Sequence, residues 1–232
     1  MYTVYRRRIH LLKKLFPRES LADQAYKSLK DAIIQGTLAE EEELPEEKLA
    51  MDLGISRTPI REAIKRLATE GLVQLNKAKP ATVATFTRED GLHYMEVRRL
   101  LELHNIEKNA HLISDSVLCE LQGNLEAQKK SVEKKEYHAF IDLDREFHLL
   151  IGSIGENKKL TMLIKDANTG VSRAFLLLSN TLEMSAEGAY LEHVEILKAI
   201  QNHCNDLARQ LMSKHLEQVE KRFLSYFKEE KK

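Results

Sequence analysis

The sequence has no tryptophan, four prolines and nine glycines in 232 residues. An all-β sandwich or barrel needs turn residues at intervals of about 8–12 positions, so this scarcity excludes that class. The two cysteines, Cys119 and Cys204, are too few for a disulfide framework or a thiolate zinc cluster. They suit a reducing compartment and read as small buried apolar side chains. Long apolar runs are missing too. The longest, from Ala174 to Leu182, falls far short of the ~18 residues a membrane span requires. No secretory hydrophobic region follows Arg6, Arg7 and Arg8. The expected location is therefore the cytoplasm, with no membrane partner. What remains, 43% hydrophobic and 31% charged residues, is the composition of a helix-rich protein with a sizeable core.

Net charge is zero, but unevenly distributed. Residues 1–86 hold 15 Lys and Arg against 12 acids, and residues 87–232 hold 21 against 24. Residues 1–18 contain six basic residues and no acid. Residues 1–19 thus read as a basic arm able to follow a phosphate backbone, or as a solvated tail.

From Ser20, Leu21, Ala25, Leu29, Ala32 and Ile33 recur at helical steps, with Ser20 at the capping position and Gly36 past the end. In LPEEKLAMDLGISRTPIREAIKRLATEGLV a short helix, Glu46 to Leu53, breaks at Gly54. A second starts after Ser56, whose hydroxyl is placed to cap it. Pro59 is tolerated in that helix's first turn, and Gly71 ends it. Two short helices around a glycine-bearing turn form a helix-turn-helix. Residues 72–86, with the Lys77-Ala78-Lys79-Pro80 turn, alternate as a two-stranded wing would.

The run ISRTPIREAIKRLATEGLV, preceded by KLAMDLG, closely resembles the DNA-binding signature of GntR-type bacterial transcription regulators. The resemblance implies a winged helix-turn-helix over residues 20–86 that binds double-stranded operator DNA. Ser56, Arg57, Thr58 and Arg61 lie where a recognition helix enters the major groove. Arg57 and Arg61, four apart on one face, suit bidentate pairing with guanine, while Lys65 and Arg66, a turn further along, face phosphate or solvent. Lys77 and Lys79 are the wing's candidates for DNA contact. The chain departs from its relatives in having no glycine at the wing tip, and an acid, Glu47, where many place a basic residue.

Residues 87–232 read as an all-helical bundle. Thr87 to Asp90 is a capping-box pattern, opening a helix to about Ile113. Further helices are expected at 115–134, 136–153, 157–180, 186–203 and 206–229, with Asn157 as a cap. Bundle interiors commonly hold ligand or metal sites. Asp144 and His148 share one helix face, and His193 and His215 sit among apolar residues on two later helices. One carboxylate and three imidazoles suit a divalent cation with open coordination positions: zinc first, then nickel or manganese. Packed interface histidines are the structural alternative.

DREFHLLIGSIGENKKL, EHVEILKAI and the later KHL resemble the FadR-type C-terminal (FCD) domain of GntR regulators in its metal-binding form. In that form the positions matching Asp144, His148, His193 and His215 are the ligands, with His203 and His138 outside any motif. Arg98, in VRRLLE, matches another recurrent segment and suits a carboxylate ligand, its alternative being a salt bridge to Glu102. Arg173 is a second candidate for the pocket wall.

The fold expected is mainly α: a winged helix-turn-helix with a small β wing, followed by a helical sensor bundle. The function expected is a non-enzymatic homodimeric repressor responsive to a small carboxylate. The alternatives are a metal-free acyl-CoA sensor, a metal-dependent hydrolase and a bare dimerisation module.

Overall fold

The computed structural model describes residues 19–177 and 185–226. Nearly all of the basic arm, and the expected helical residues 178–180 and 227–229, lie outside the described residues.

Helix α1 (Leu21–Ile34) begins with a complete capping box: the Ser20 hydroxyl accepts from the Asp23 amide, and the Asp23 carboxylate accepts from the Ser20 amide. Its buried stripe, Ala25, Leu29 and Ile33, packs against α3. Strand β1 (Glu43–Leu44) leads into α2 (Glu46–Asp52), and Gly54, at φ +66, provides the left-handed turn before α3 (Arg57–Thr69). Ile60, Ala63, Ile64 and Leu67 recur at three- and four-residue steps on α3 and are almost wholly buried. Each large apolar side chain contributes roughly 1.5–3 kcal/mol when fully buried. The Ser56 residue sits at the start of α3 in extended geometry, but its hydroxyl makes no capping hydrogen bond, contrary to expectation.

The wing, β2 (Val73–Gln74) and β3 (Ala81–Val83), is antiparallel as expected, with Val73 opposite Val83. A third strand joins it, since β1 pairs with β3 through Leu44 and Ala81, giving the order β1-β3-β2. The two residues of β1, the last acid of Glu40–Glu43 and the leucine after it, are too short a stretch to show alternation. At the wing tip, which has no glycine, Ala78 takes φ +57; such a residue bears a strain on the order of 1–2 kcal/mol.

The second half is a helical bundle: α4 (Arg88–Asn109), a short 3-10 turn (Ala110–Leu112), α5 (Asp115–Glu133), α6 (Tyr137–Gly152), α7 (Lys158–Leu177), α8 (Ala186–Gln201) and α9 (Asn205–Tyr226). Thr87 and Asp90 form the capping box of α4, and the Asn157 side chain caps α7 by accepting from Lys159 and Leu160 amides. Helix α4 packs on α7 and α9, α5 on α6 and α8, and α8 on α9. Gly170 lets α7 approach α4 closely, because a Cβ there would lie 2.3 Å from the Tyr94 ring. The main core gathers Ile106, Leu121, Phe147, Ile196, Ile200 and Met212. No described helix is long and apolar enough to cross a membrane.

Both cysteines are exposed, which corrects the expectation that they pack inside. Cys119 lies off the buried stripe of α5, formed by Leu121, Asn124, Leu125 and Gln128, and Cys204 sits in the turn before α9.

Candidate metal centre and nucleic-acid interface

Three bundle helices aim polar side chains at one point in this core. Asp144 and His148 project from α6, one turn apart; His193 comes from α8 and His215 from α9. All three imidazoles are fully buried, and one ligand atom from each of the four residues lies within 4.8 Å of the others. The Nε2 atom of His148 is 3.2 Å from those of both His193 and His215, which are 3.3 Å apart. Asp144 Oδ1 lies 3.5 Å from His193 Nε2. Neither His203 nor His138 belongs to the group.

The outer face of each ring determines its tautomer. Nδ1 of His148 lies 2.7 Å from Glu102 Oε2, that of His193 2.9 Å from Gln128 Oε1, and that of His215 2.7 Å from Glu192 Oε2. These oxygens accept hydrogen bonds, so each Nδ1 carries the proton and each Nε2 presents a lone pair. Gln128 is itself held by Asn124, which bonds the Leu143 carbonyl. Glu102 is also bonded by Arg98 and Asn168. Burial opposes its ionisation, but His148 and Arg98 outweigh that and bring its carboxyl down to about 2. Burial, followed by the neighbouring imidazoles, pushes His193 well below its ordinary value. Burial likewise lowers His215 to about 4, although the hydrogen bond to Glu192 works the other way.

The donor set fits a divalent cation. Three lone pairs facing one another repel unless a positive charge lies between them, and burial keeps His193 and His215 in the neutral form that can bind it. Ligand atoms bonded tetrahedrally at about 2.0–2.1 Å stand about 3.3–3.4 Å apart, close to the spacing of these rings. Around the cluster, Asp144, Glu102 and Glu192 outnumber their guanidinium neighbours Arg98 and Arg222, leaving negative charge for a cation to offset.

Beside the cluster lies a cavity of about 40 Å³, lined among the described residues by Asp144, Arg222, two serines and six apolar side chains. Arg98 does pair with Glu102, at 3.0 Å, the alternative weighed for it, and both side chains are buried. Arg98 Nη2 has no hydrogen-bond partner and lies 3.9 Å from Asp144 Oδ2. Arg173 is not in the cavity wall. It reaches the wing instead, bonding the Thr85 carbonyl and stacking on Phe86 at 4.7 Å.

On the opposite half, Arg57, Arg61, Lys65 and Lys79 line one groove between α2, α3 and the wing, with Ser56, Thr58 and Lys77 exposed nearby. Arg61 is held in a fork by Glu46, Nε at 2.9 Å and Nη2 at 2.6 Å, and Arg57 Nη2 lies 3.8 Å from the same carboxylate. Sequence reasoning missed Glu46, as it missed Gln128, Glu192 and Arg222. These partners sit on other elements, and no spacing announces them. Only the adjacency of Glu192 to His193 offered a signal.

Residues 21–83 match the family described as bacterial regulatory proteins, gntR family, and residues 93–218 match the FCD domain. The HTH-type transcriptional repressor RspR of Escherichia coli (strain K12) is 25% identical over 206 residues, which cover 89% of this chain and 90% of that one. The gluconate operon transcriptional repressor of Bacillus licheniformis is 28% identical over 214 residues, covering 90% and 87%. The solved structure of E. coli McbR/YncC has the same fold, with a TM-score of 0.69 at 22% identity, covering 90% of this chain and 99% of that one.

The depressed histidines make the metal-free protein acid-sensitive. An unfolded chain takes up a proton on His215 below its ordinary value of 6.5, whereas the folded site resists until about 4. The contribution of His215 to stability is therefore constant above pH 6.5 and falls as the pH drops toward 4, by on the order of 3 kcal/mol. Urea unfolding with chelator present, at stepped pH, should show the fall, and it should be shallower in His215→Asn. An identical slope in that variant would show that His215 does not cause the acid sensitivity.

Proposed function

The chain belongs to the GntR family of bacterial regulatory proteins and carries an FCD domain, so it is a DNA-binding transcription regulator; we propose that it is a homodimeric repressor released from a palindromic operator by a small carboxylate bound at a divalent-cation site. In this reading residues 20–86 bind DNA, residues 87–232 bind ligand and dimerise, and the protein works in the cytoplasm.

The observation that carries the reading is the convergence of Asp144, His148, His193 and His215 beside a cavity, with the Nη2 of buried Arg98, which makes no hydrogen bond, 3.9 Å from Asp144. The four side chains would hold the cation, zinc being the first candidate and nickel or manganese the others. When bound, it supplies an electrophilic position for a carboxylate oxygen. Arg98 offers the second oxygen a charged donor through Nη2. Glu102, Gln128 and Glu192 keep the rings turned inward. A cavity of about 40 Å³ gives little support to the acyl-CoA alternative.

Dimerisation is supported by Val97 and Leu100 on α4 and by Met162 and Leu163 on α7, large apolar side chains exposed on two adjacent helices. A second copy covering them would bring two recognition helices to half-sites about one DNA turn apart.

Helix α6 supplies a route from cavity to DNA-binding half. Its Ile141 lines the cavity and packs on Ile34 of α1 and Leu176 of α7. The next residue, Asp142, lies 3.3 Å from Lys30 of α1, which also meets Glu70, just beyond α3, at 3.2 Å. A ligand that moved α6 would thereby tilt α1 and α3. For release to follow, the ligand must bind the tilted arrangement better.

Selection of binding sites from random duplex DNA should yield two inverted half-sites. Replacing Arg61 with Ala should cost about 1–3 kcal/mol of discrimination at a single position of each half-site. A loss spread evenly over all sequences would assign Arg61 to phosphate instead. Lys30→Met should accelerate amide exchange in α1 and at the end of α3 while α8 and α9 keep their protection. Unaltered exchange in α1 would show that this lysine does not hold the two halves together.

A further inference from the structure

The stripes that build the cluster also build the cavity beside it. On α6, Phe140 precedes Asp144 by one turn; on α8, Ala189 precedes His193; on α9, Val219 follows His215. Each helix that gives the cluster a polar group thus gives the cavity wall an apolar one, and Ile141, Val171 and Phe175 complete it. Asp144 and Arg222 lie at the cluster end. The Arg222 guanidinium is already paired with both oxygens of Glu192. The other polar lining residues are Ser172 and Ser185, and the Ser185 hydroxyl accepts from Tyr226.

From this lining we infer the chemical class of the effector: a short monocarboxylate with a hydrocarbon tail, about the size of butanoate, and neither a sugar acid nor a dicarboxylate. The inference rests on the reading that this cavity holds a carboxylate. A cavity of about 40 Å³ has room for roughly three water-sized groups, the length of a three-carbon tail behind the acid head. A sugar acid brings a hydroxyl on every carbon, and among the described residues the wall has two serines, of which Ser185 is already bonded by Tyr226. Hydroxyls buried without partners weaken binding. A dicarboxylate is worse placed, since its second charge would be desolvated among Phe140, Phe175 and Val171 with no free cation in the described lining.

The test uses the full zinc-loaded chain and three acids of equal carbon number: butanoate, 2,3,4-trihydroxybutanoate and butanedioate, titrated calorimetrically. Butanoate should bind, and each of the others should bind at least ~100-fold more weakly. If either polar acid binds as tightly as butanoate, the class is wrong while the effector site stands. If none of the three binds, the effector reading falls together with the class. Ala189→Leu, which fills the cavity, should weaken butanoate by about tenfold or more, with the melting temperature as a check on the fold. Unchanged affinity in that variant would put the acid elsewhere and overturn the inference.

Discussion

Three imidazoles facing one another through their Nε2 atoms, 3.2–3.3 Å apart in a buried core, are the constraint on which the rest of the helical domain depends. Left to themselves they repel. Hydrogen-bond acceptors on three other stretches of chain, at Glu102, Gln128 and Glu192, prevent them from turning away. Those acceptors in turn fix which faces of α4, α5 and α8 point inward. A cation is the simple counterpart to such an arrangement, and the surplus of carboxylates over guanidinium groups around it has the right sign.

The same helix serves two ends. Asp144 and His148 face the cluster from α6, while Asp142, between Ile141 and the ligands, faces Lys30 in the DNA-binding half. Burial would lower the charge affinity of that lysine, but Asp142 and Glu70 more than restore it, so its pKa is raised. Arg173 makes a second junction from α7 to the wing. Both junctions lie within a turn of cavity-lining residues, Ile141 on one helix and Ser172 on the other. A change of a few tenths of an ångström in the cavity therefore has two short mechanical paths to the DNA-binding surface.

Much of this was legible in the sequence because local rules wrote it. The capping boxes at Ser20 and Thr87, the glycine turn at Gly54 and the apolar steps of α3 all follow from spacing along one chain segment. Asp144 and His148 were visible for the same reason, His193 and His215 stood out as polar residues among apolar helical positions, and the resemblance joined the four into one ligand set. Partnerships between distant segments were not legible. No periodicity shows that Gln128 would bond His193, that Glu46 would hold Arg61, or that Glu43 and Leu44 would become a third strand. The misplacement of Cys119, Cys204 and Arg173 has the same origin: which face of a helix a neighbour covers is settled by tertiary packing.

The central claim is that the buried cluster exists to hold a divalent ion. It is tested most directly by elemental mass spectrometry of protein purified without chelator and without an affinity-tag metal, beside a His193→Ala variant that remains folded. The account predicts about one divalent ion per chain in the parent and little in the variant. A metal-free parent, or equal metal in both proteins, would contradict it and leave the three histidines as packing residues.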